Sequence, residues 1–108
     1  MDEIFKPVKG FFGYEISNLG RLKSYRRKKT RMHTPRKTNS GMAYQLMHKG
    51  KCVQVKASHL VAWHFLPNPY MSRTVKHKNG DKNDCRAENL EFFVTYFEKV
   101  IIKARLKT

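Results

Sequence analysis

Between Glu15 and Asp81 the chain carries no acidic residue, while lysines and arginines recur throughout that stretch. This single feature constrains the fold more than any other. A compact fold must turn those cations outward, where they repel one another unless an anionic partner faces them. The formal net charge is +15 over 108 residues. The partners such a chain suits are nucleic acid first, then an anionic membrane surface, then an acidic protein. The hydrophobic fraction of 40% supports a modest globular core, and the length fits one domain or two small subdomains that share a core. No basic n-region precedes an apolar run at the N-terminus, so no signal peptide is read there. No stretch approaches the roughly 20 apolar residues of a membrane span. Cys52 and Cys85 form no CxxC, and four thiolates are absent, so no zinc is expected and both cysteines read as reduced. Cys52 is expected in a strand, as a core residue. The chain is expected in the cytoplasm.

Hydrophobic patterning divides the chain. Tyr14-Glu15-Ile16 and Arg21-Leu22-Lys23-Ser24-Tyr25 alternate around Asn18-Leu19-Gly20, which predicts two short strands and a turn. Arg26 to Ser40 has almost no apolar content, which predicts a loop or an extended basic arm. Ala43–His48 and Lys51–Val55 flank Lys49-Gly50 and predict a β-hairpin. Ala57 to Leu66 has helical spacing, with Leu60, Val61, His64 and Phe65 on one face. Ser58 is placed to cap that helix and Pro67 ends it. Trp63 and Phe65 read as core, and His59 and His64 as structural or surface histidines. Strands are expected at Arg73–His77 and Glu91–Val94, joined by a loop. A final helix is expected from Tyr96 to Leu106, opened by a Thr95/Glu98 capping box. The fold class is therefore α+β: a small β-rich N-terminal module, residues 1–40, packed with a ββα unit, residues 41–108.

The stretch from His77 to Leu90 carries the chemistry. His77 is followed by a polar loop containing Gly80, then by Asn89 twelve residues later in an Asn-Leu pair. A metal-dependent nuclease on a small ββα unit needs such parts. One imidazole activates water, one amide holds that imidazole, and a tight loop brings the two together.

Two blocks resemble the HNH homing-type endonucleases of bacteria and their phages. Val8 to Ser24, with its run Tyr14-Glu15-Ile16-Ser17-Asn18-Leu19-Gly20-Arg21-Leu22-Lys23-Ser24, looks like the N-terminal DNA-binding module of that family. Leu60-Val61-Ala62, Phe65 to Pro69, and His77 through Asn89-Leu90-Glu91 look like the HNH unit with its preceding helix. The resemblance implies that His77 is the general base and that Asn89 orients the imidazole. It implies a divalent cofactor, magnesium or manganese, and a setting in a bacterial or phage-infected cell.

The likeness has departures. Many members place a metal ligand where this chain has Lys76, and a lysine repels a cation. Glu98 and Asp84 are the candidate metal ligands, with Glu98 also the cap for Thr95. Phe92 stands where the family has tryptophan. The expected duplex contacts are Arg21, Lys23, Arg26, Arg27, Lys28, Lys29, Arg31, Arg36, Lys37, Lys76 and Lys78. Double-stranded DNA is the expected partner, no membrane is expected, and a homodimer or a targeting protein stays open. Three readings follow: an HNH endonuclease that nicks or cuts DNA, a catalytically degenerate DNA-binding protein on the same scaffold, and an RNA-binding protein. RNA binding calls for exposed aromatic platforms, whereas the aromatics here occupy periodic, core-like positions.

Overall fold

The computed structural model describes residues 2–26, 28–68 and 74–93. Their architecture is α+β, with nine strands in three small antiparallel sheets and one α-helix among the described residues. The first sheet has the order β1 (Phe5–Pro7), β2 (Tyr14–Ser17), β3 (Leu22–Ser24), β4 (Arg31–Met32). Ile16 and Leu22 are paired across β2 and β3 and are both fully buried. Alternation thus sets the register, because a slip of one residue would expose both.

The turn between β2 and β3 shows why Ser-Asn-x-Gly is needed there. The Ser17 hydroxyl accepts from the Leu19 and Arg21 amides at 3.2 and 3.0 Å. Asn18 Oδ1 accepts from the Ile4 amide at 2.8 Å, and its Nδ2 donates to the Asp2 carbonyl at 3.1 Å. Asn18 therefore ties the N-terminal residues to the turn. Strand β1, which the periodicity did not suggest, pairs with β2 from Phe5↔Ser17 to Pro7↔Glu15.

The basic arm is not all loop. Arg31–Met32 pairs with β3, and the His33 amide donates to the Leu22 carbonyl at 2.9 Å. Arg36–Thr38 forms β5 and pairs with β6 (Gly41–His48). Edge strands need only backbone groups, so a cationic sequence without apolar alternation can still add to a sheet and blunt its edge. β6 pairs in turn with β7 (Lys51–Lys56). At the hairpin tip Lys49 and Gly50 take φ of 50° and 77°. Two positive φ values are the requirement of a type I′ turn, which Lys-Gly signals in the sequence.

Strand β7 runs directly into helix α1 (Ala57–Phe65). Lys56 occupies the N-cap without a side-chain bond, and Ser58 lies buried inside the first turn, so Ser58 is not the cap. Leaving no loop between β7 and α1 removes the position where a capping hydroxyl would sit. The helix ends at Leu66, whose amide donates to the Ala62 carbonyl at 3.0 Å, and Pro67 follows. Trp63 is 61% exposed and is not a core residue. Two positions past the fully buried Val61, it points about 200° away around the helix. Phe65 and His64 are half-buried. Cys52 is exposed, contrary to the core placement, because Val53 and Val55 take the inward parity of β7.

The third sheet pairs β8 (Thr74–His77) with β9 (Leu90–Phe93), in the register His77↔Leu90 and Lys76↔Glu91. A single 3-10 turn, Ala87–Asn89, leads into β9. Val94, the Thr95/Glu98 box and the helix expected from Tyr96 to Leu106 lie outside the described residues. Helix α1 packs against both the hairpin and the β8/β9 pair. One buried cluster joins Ile16 and Leu22 of the first sheet, Tyr44 and Leu46 of the second, Leu60 and Val61 of α1, and Leu90 of β9. Residue 40, the limit of the N-terminal module, falls in the turn between the paired strands β5 and β6. Among the described residues no helix is long and apolar enough to cross a membrane.

Candidate active site

His77 closes strand β8, and the loop behind it folds back on that strand. The Gly80 amide donates to the His77 carbonyl at 3.0 Å, with Gly80 at φ 75°. The Asp81 amide donates to Asn79 Oδ1 at 2.8 Å, and the Asn83 amide to Asp81 Oδ1 at 2.9 Å. These short-range Asx bonds are what an Asn- and Asp-rich loop forms in place of regular structure. The Lys78 amide donates to the Asn89 carbonyl at 2.7 Å and closes the loop at its base.

The His77 imidazole is half-buried, and its Nε2 is buried with no hydrogen-bond partner. Burial holds its pKa below the ordinary histidine value, while Asp81 and Asp84 pull it back up and Lys82 and Lys56 push it down. A neutral ring with a free nitrogen is the state a general base requires.

Asn89 is buried, and its amide is committed to the loop. Nδ2 donates to Asn79 Oδ1 at 3.0 Å and to the Asp84 carbonyl at 2.9 Å, and Oδ1 accepts from the Asn79 amide at 3.1 Å. Both amide protons are spent there, so neither is left to donate to the His77 ring. Asp84 is held by Arg86 in a bidentate ion pair, with both contacts at 2.8 Å, and by Asn79 Nδ2 at 3.1 Å. The guanidinium lowers the Asp84 carboxyl to about 2. Arg86 also reaches Glu88 at 2.8 Å. Cys85, between Asp84 and Arg86, is buried, which pushes its thiol up to about 11 and keeps it in the thiol form.

Among the described residues no group of three His, Cys, Asp or Glu side chains is placed to hold a metal ion. Asp84 is engaged by Arg86, and Glu98 lies outside the described residues. Lys76 is exposed, with its ammonium 5.9 Å from the centre of the Phe93 ring. The described residues therefore do not by themselves form a divalent-cation site.

The expected duplex contacts separate into two groups. Arg21 is tied by two bonds to Glu3, one of them 2.7 Å long. Lys23 pairs with Glu15 at 3.2 Å and lies 4.1 Å from the Phe5 ring centre. Arg26 stacks on Tyr14, 5.7 Å from the ring centre. These three brace the first sheet. Lys28, Lys29, Arg31, Arg36, Lys37 and Lys78 are exposed, and Arg27 lies outside the described residues. His33, which no pattern in the sequence singles out, has a buried Nε2 without a partner and packs on Tyr14, ring centres 5.8 Å apart. Phe12 and Tyr25 are also exposed, at 88% and 43%. The aromatics are therefore not all core-like. Phe12 lies in the turn before β2, and Tyr25, at the end of an alternating run, falls just past the end of β3.

The N-terminal module and this loop touch directly. The Ala87 amide donates to the Asn18 carbonyl at 2.7 Å. A Cβ on Gly20, which sits at φ 86°, would lie 3.1 Å from the Cys85 carbonyl oxygen. Tyr44 Oη donates to the Gly20 carbonyl at 2.7 Å.

Residues 3–53 match the model of the NUMOD4 motif. An uncharacterised HNH endonuclease of Acanthamoeba polyphaga mimivirus is 33% identical over 127 aligned positions, covering 98% of this chain and 31% of that protein. The chain thus spans about a third of that relative's length. In a structure of DNA binding and cleavage by the HNH homing endonuclease I-HmuI, the nuclease superposes with a TM-score of 0.76 at 24% identity, over 96% of this chain and 58% of that one. Residues 3–53 thus match a NUMOD4 motif, and nearly the whole chain is related in sequence to one protein named an HNH endonuclease and alike in fold to a solved HNH homing endonuclease.

Proposed function

We propose that this chain binds double-stranded DNA and hydrolyses a phosphodiester bond as an HNH-type endonuclease, with His77 as the general base. The observation that carries the reading is the His77 ring itself: half-buried, biased neutral by burial, with an Nε2 that has no hydrogen-bond partner, at the start of the polar loop that Asn89 closes. In this reading His77 takes a proton from water as the oxygen attacks phosphorus. Lys78, Lys82 and Lys56 lie around it and attract the phosphate. A divalent ion, magnesium or manganese, would supply Lewis-acid stabilisation of the charge that develops on the phosphate oxygens. Glu98 and Asp84 remain the candidates to hold it, the second only after release from Arg86.

A second reading, a DNA-binding protein that has lost cleavage, is favoured by one specific feature. Lys76 stands at the position next to His77 where a ligand would be needed, and the described candidate ligand, Asp84, is already engaged by Arg86. Plasmid nicking with magnesium or manganese against an EDTA control separates the two. Metal-dependent nicking that His77→Ala abolishes, with DNA affinity held within a few-fold, supports the enzyme. Tight binding with no nicking in either metal supports the second reading. Undiminished nicking by a folded His77→Ala protein refutes the role given to His77.

A further inference from the structure

Phe12 is the most exposed large hydrophobic side chain among the described residues, at 88%. Its neighbour Phe11 does the opposite, packing on the core with its ring 5.4 Å from that of His48. The backbone that separates the two is fixed. The Val8 amide donates to the Tyr14 carbonyl at 3.0 Å, the Phe11 amide to the Val8 carbonyl at 3.2 Å, and the Tyr25 amide to the Gly13 carbonyl at 2.8 Å. Gly10 and Gly13 take φ of 84° and 86°, so both bends of the turn need glycine. At Gly13 the Arg26 side chain occupies the place of a Cβ, 2.1 Å from where one would stand. Phe12 is thus presented outward by a turn that cannot readily fold it back.

Its surroundings select what it meets. Phe12 stands on the rim of a concavity of about 580 Å³, shared with Tyr25, Arg26, His48 and Lys49, and no acidic side chain lines it. A second concavity, of about 470 Å³, shares Tyr14, Arg26 and Met47 with the first and adds Lys29 and Arg31. A second copy of a chain with net charge +15 would be repelled by such a rim. The complementary partner is anionic and also offers flat apolar faces, which describes nucleic-acid bases behind their phosphates. A rigid exposed phenyl flanked by cations has the character of the apolar wedges that part base steps in bent duplexes.

We propose that Phe12 is a wedge that inserts at a base step of the bound duplex, while the cations around it hold the flanking phosphates. This rests on the DNA-binding reading above and adds a deformation of the duplex to it. Insertion costs less at a step that is already weakened, so the protein should prefer DNA that carries one. The test uses the full chain and a short fluorescein-labelled duplex, perfect or with one central mismatch, by anisotropy across a salt series. A fluorescent adenine analogue beside the mismatch reports unstacking.

Wild type should bind the mismatched duplex about tenfold more tightly than the perfect one, because the mismatch removes part of the few kcal/mol of unstacking that insertion costs, and the analogue should brighten. Phe12→Ala should bring that preference close to unity without changing the salt slope, and Phe12→Leu should retain part of it. Phe12→Ala that keeps both the preference and the brightening overturns the proposal. A change in sedimentation of the free protein on Phe12→Ala, with DNA binding untouched, also overturns it and makes Phe12 a self-association contact. Failure of wild type to bind either duplex removes the DNA-binding reading itself, whereas wild-type binding without preference overturns the wedge alone.

Discussion

Replacing Asn89 with alanine tests whether this residue is a loop staple or an orienting group for the imidazole. The substitution removes three hydrogen bonds, to Asn79 Oδ1, the Asn79 amide and the Asp84 carbonyl. At about 1 kcal/mol net for each, the loss comes to about 3 kcal/mol. Asn79 is exposed, so water recovers part of what its groups lose. That leaves a destabilisation of about 2–3 kcal/mol, a large share of the 5–15 kcal/mol typical of a whole domain. Asn89→Asp keeps the acceptor for the Asn79 amide but turns the two donors into charged acceptors facing other oxygens. It should cost at least as much despite its equal size. Urea unfolding at neutral pH measures the global effect, and amide exchange at Lys78 and Asn79 the local one. Both amides should lose protection, and any nicking should fall with them. A shift below about 0.5 kcal/mol, with both amides still protected, would refute the staple and return Asn89 to direct control of the ring.

Two further outcomes follow from the basic surface and the central turn. Replacing Lys28, Lys29 and Arg31 together with alanine should flatten the dependence of log affinity on log salt by about 0.9 for each phosphate no longer neutralised. Arg21→Ala should change that slope little, because Glu3 already neutralises Arg21, and an unchanged slope in the triple variant would move the interface elsewhere. Gly20→Ala should destabilise by about 1–3 kcal/mol in urea unfolding, since it forces a positive φ on a residue with a Cβ and pushes that Cβ against the Cys85 carbonyl. Gly10→Ala, at a similar φ with nothing within 4 Å, should cost less, and equal costs would mean that the approach to Cys85 carries no energy.

Much of the scaffold was legible because period and turn chemistry agreed. Ile16 and Leu22 alternate with polar neighbours, Lys49-Gly50 sits between two β-rich runs, and Pro67 stops a helical pattern; each of these local signals has a matching element. What escaped was decided by partners distant in sequence. Strand β1 exists because Asn18 and β2 supply its bonds, and β4 and β5 because neighbouring backbones stood open. Cys52 and Trp63 were misplaced because being apolar does not say which face of β7 or α1 a residue takes; Val53 and Val61 settle that. At the candidate site, the His77-to-Asn89 spacing marked two residues that one loop joins, with the Lys78 amide on the Asn89 carbonyl. It could not show that Asn79 and Asp84 take up the Asn89 amide, or that Arg86 reaches back two residues to neutralise Asp84. Those contacts depend on the conformation of a loop without a repeating period.

The contact between the Ser-Asn-x-Gly turn and the His77 loop fixes the two relative to each other. The Asn18 carbonyl receives the Ala87 amide, and Gly20 leaves room for Cys85, so the Ser-Asn-x-Gly turn of the first motif forms part of the seat of the His77 loop. Tyr44, buried in the hairpin, ties the same turn from the other side through its bond to the Gly20 carbonyl. Asn18 and Gly20 therefore serve two purposes at once: they close the β2–β3 turn and they position a loop more than sixty residues further along the chain. In the proposed function, the exposed cations Lys28, Lys29 and Arg31 hold the duplex while His77 acts on one phosphate. That division of labour requires a fixed distance between the two surfaces, and a flexible linker would not supply it. A shared buried cluster through Ile16, Tyr44, Val61 and Leu90 does supply it. Perturbing the turn at Asn18 should then disturb the His77 loop as much as the first sheet, because the same few bonds hold both in place.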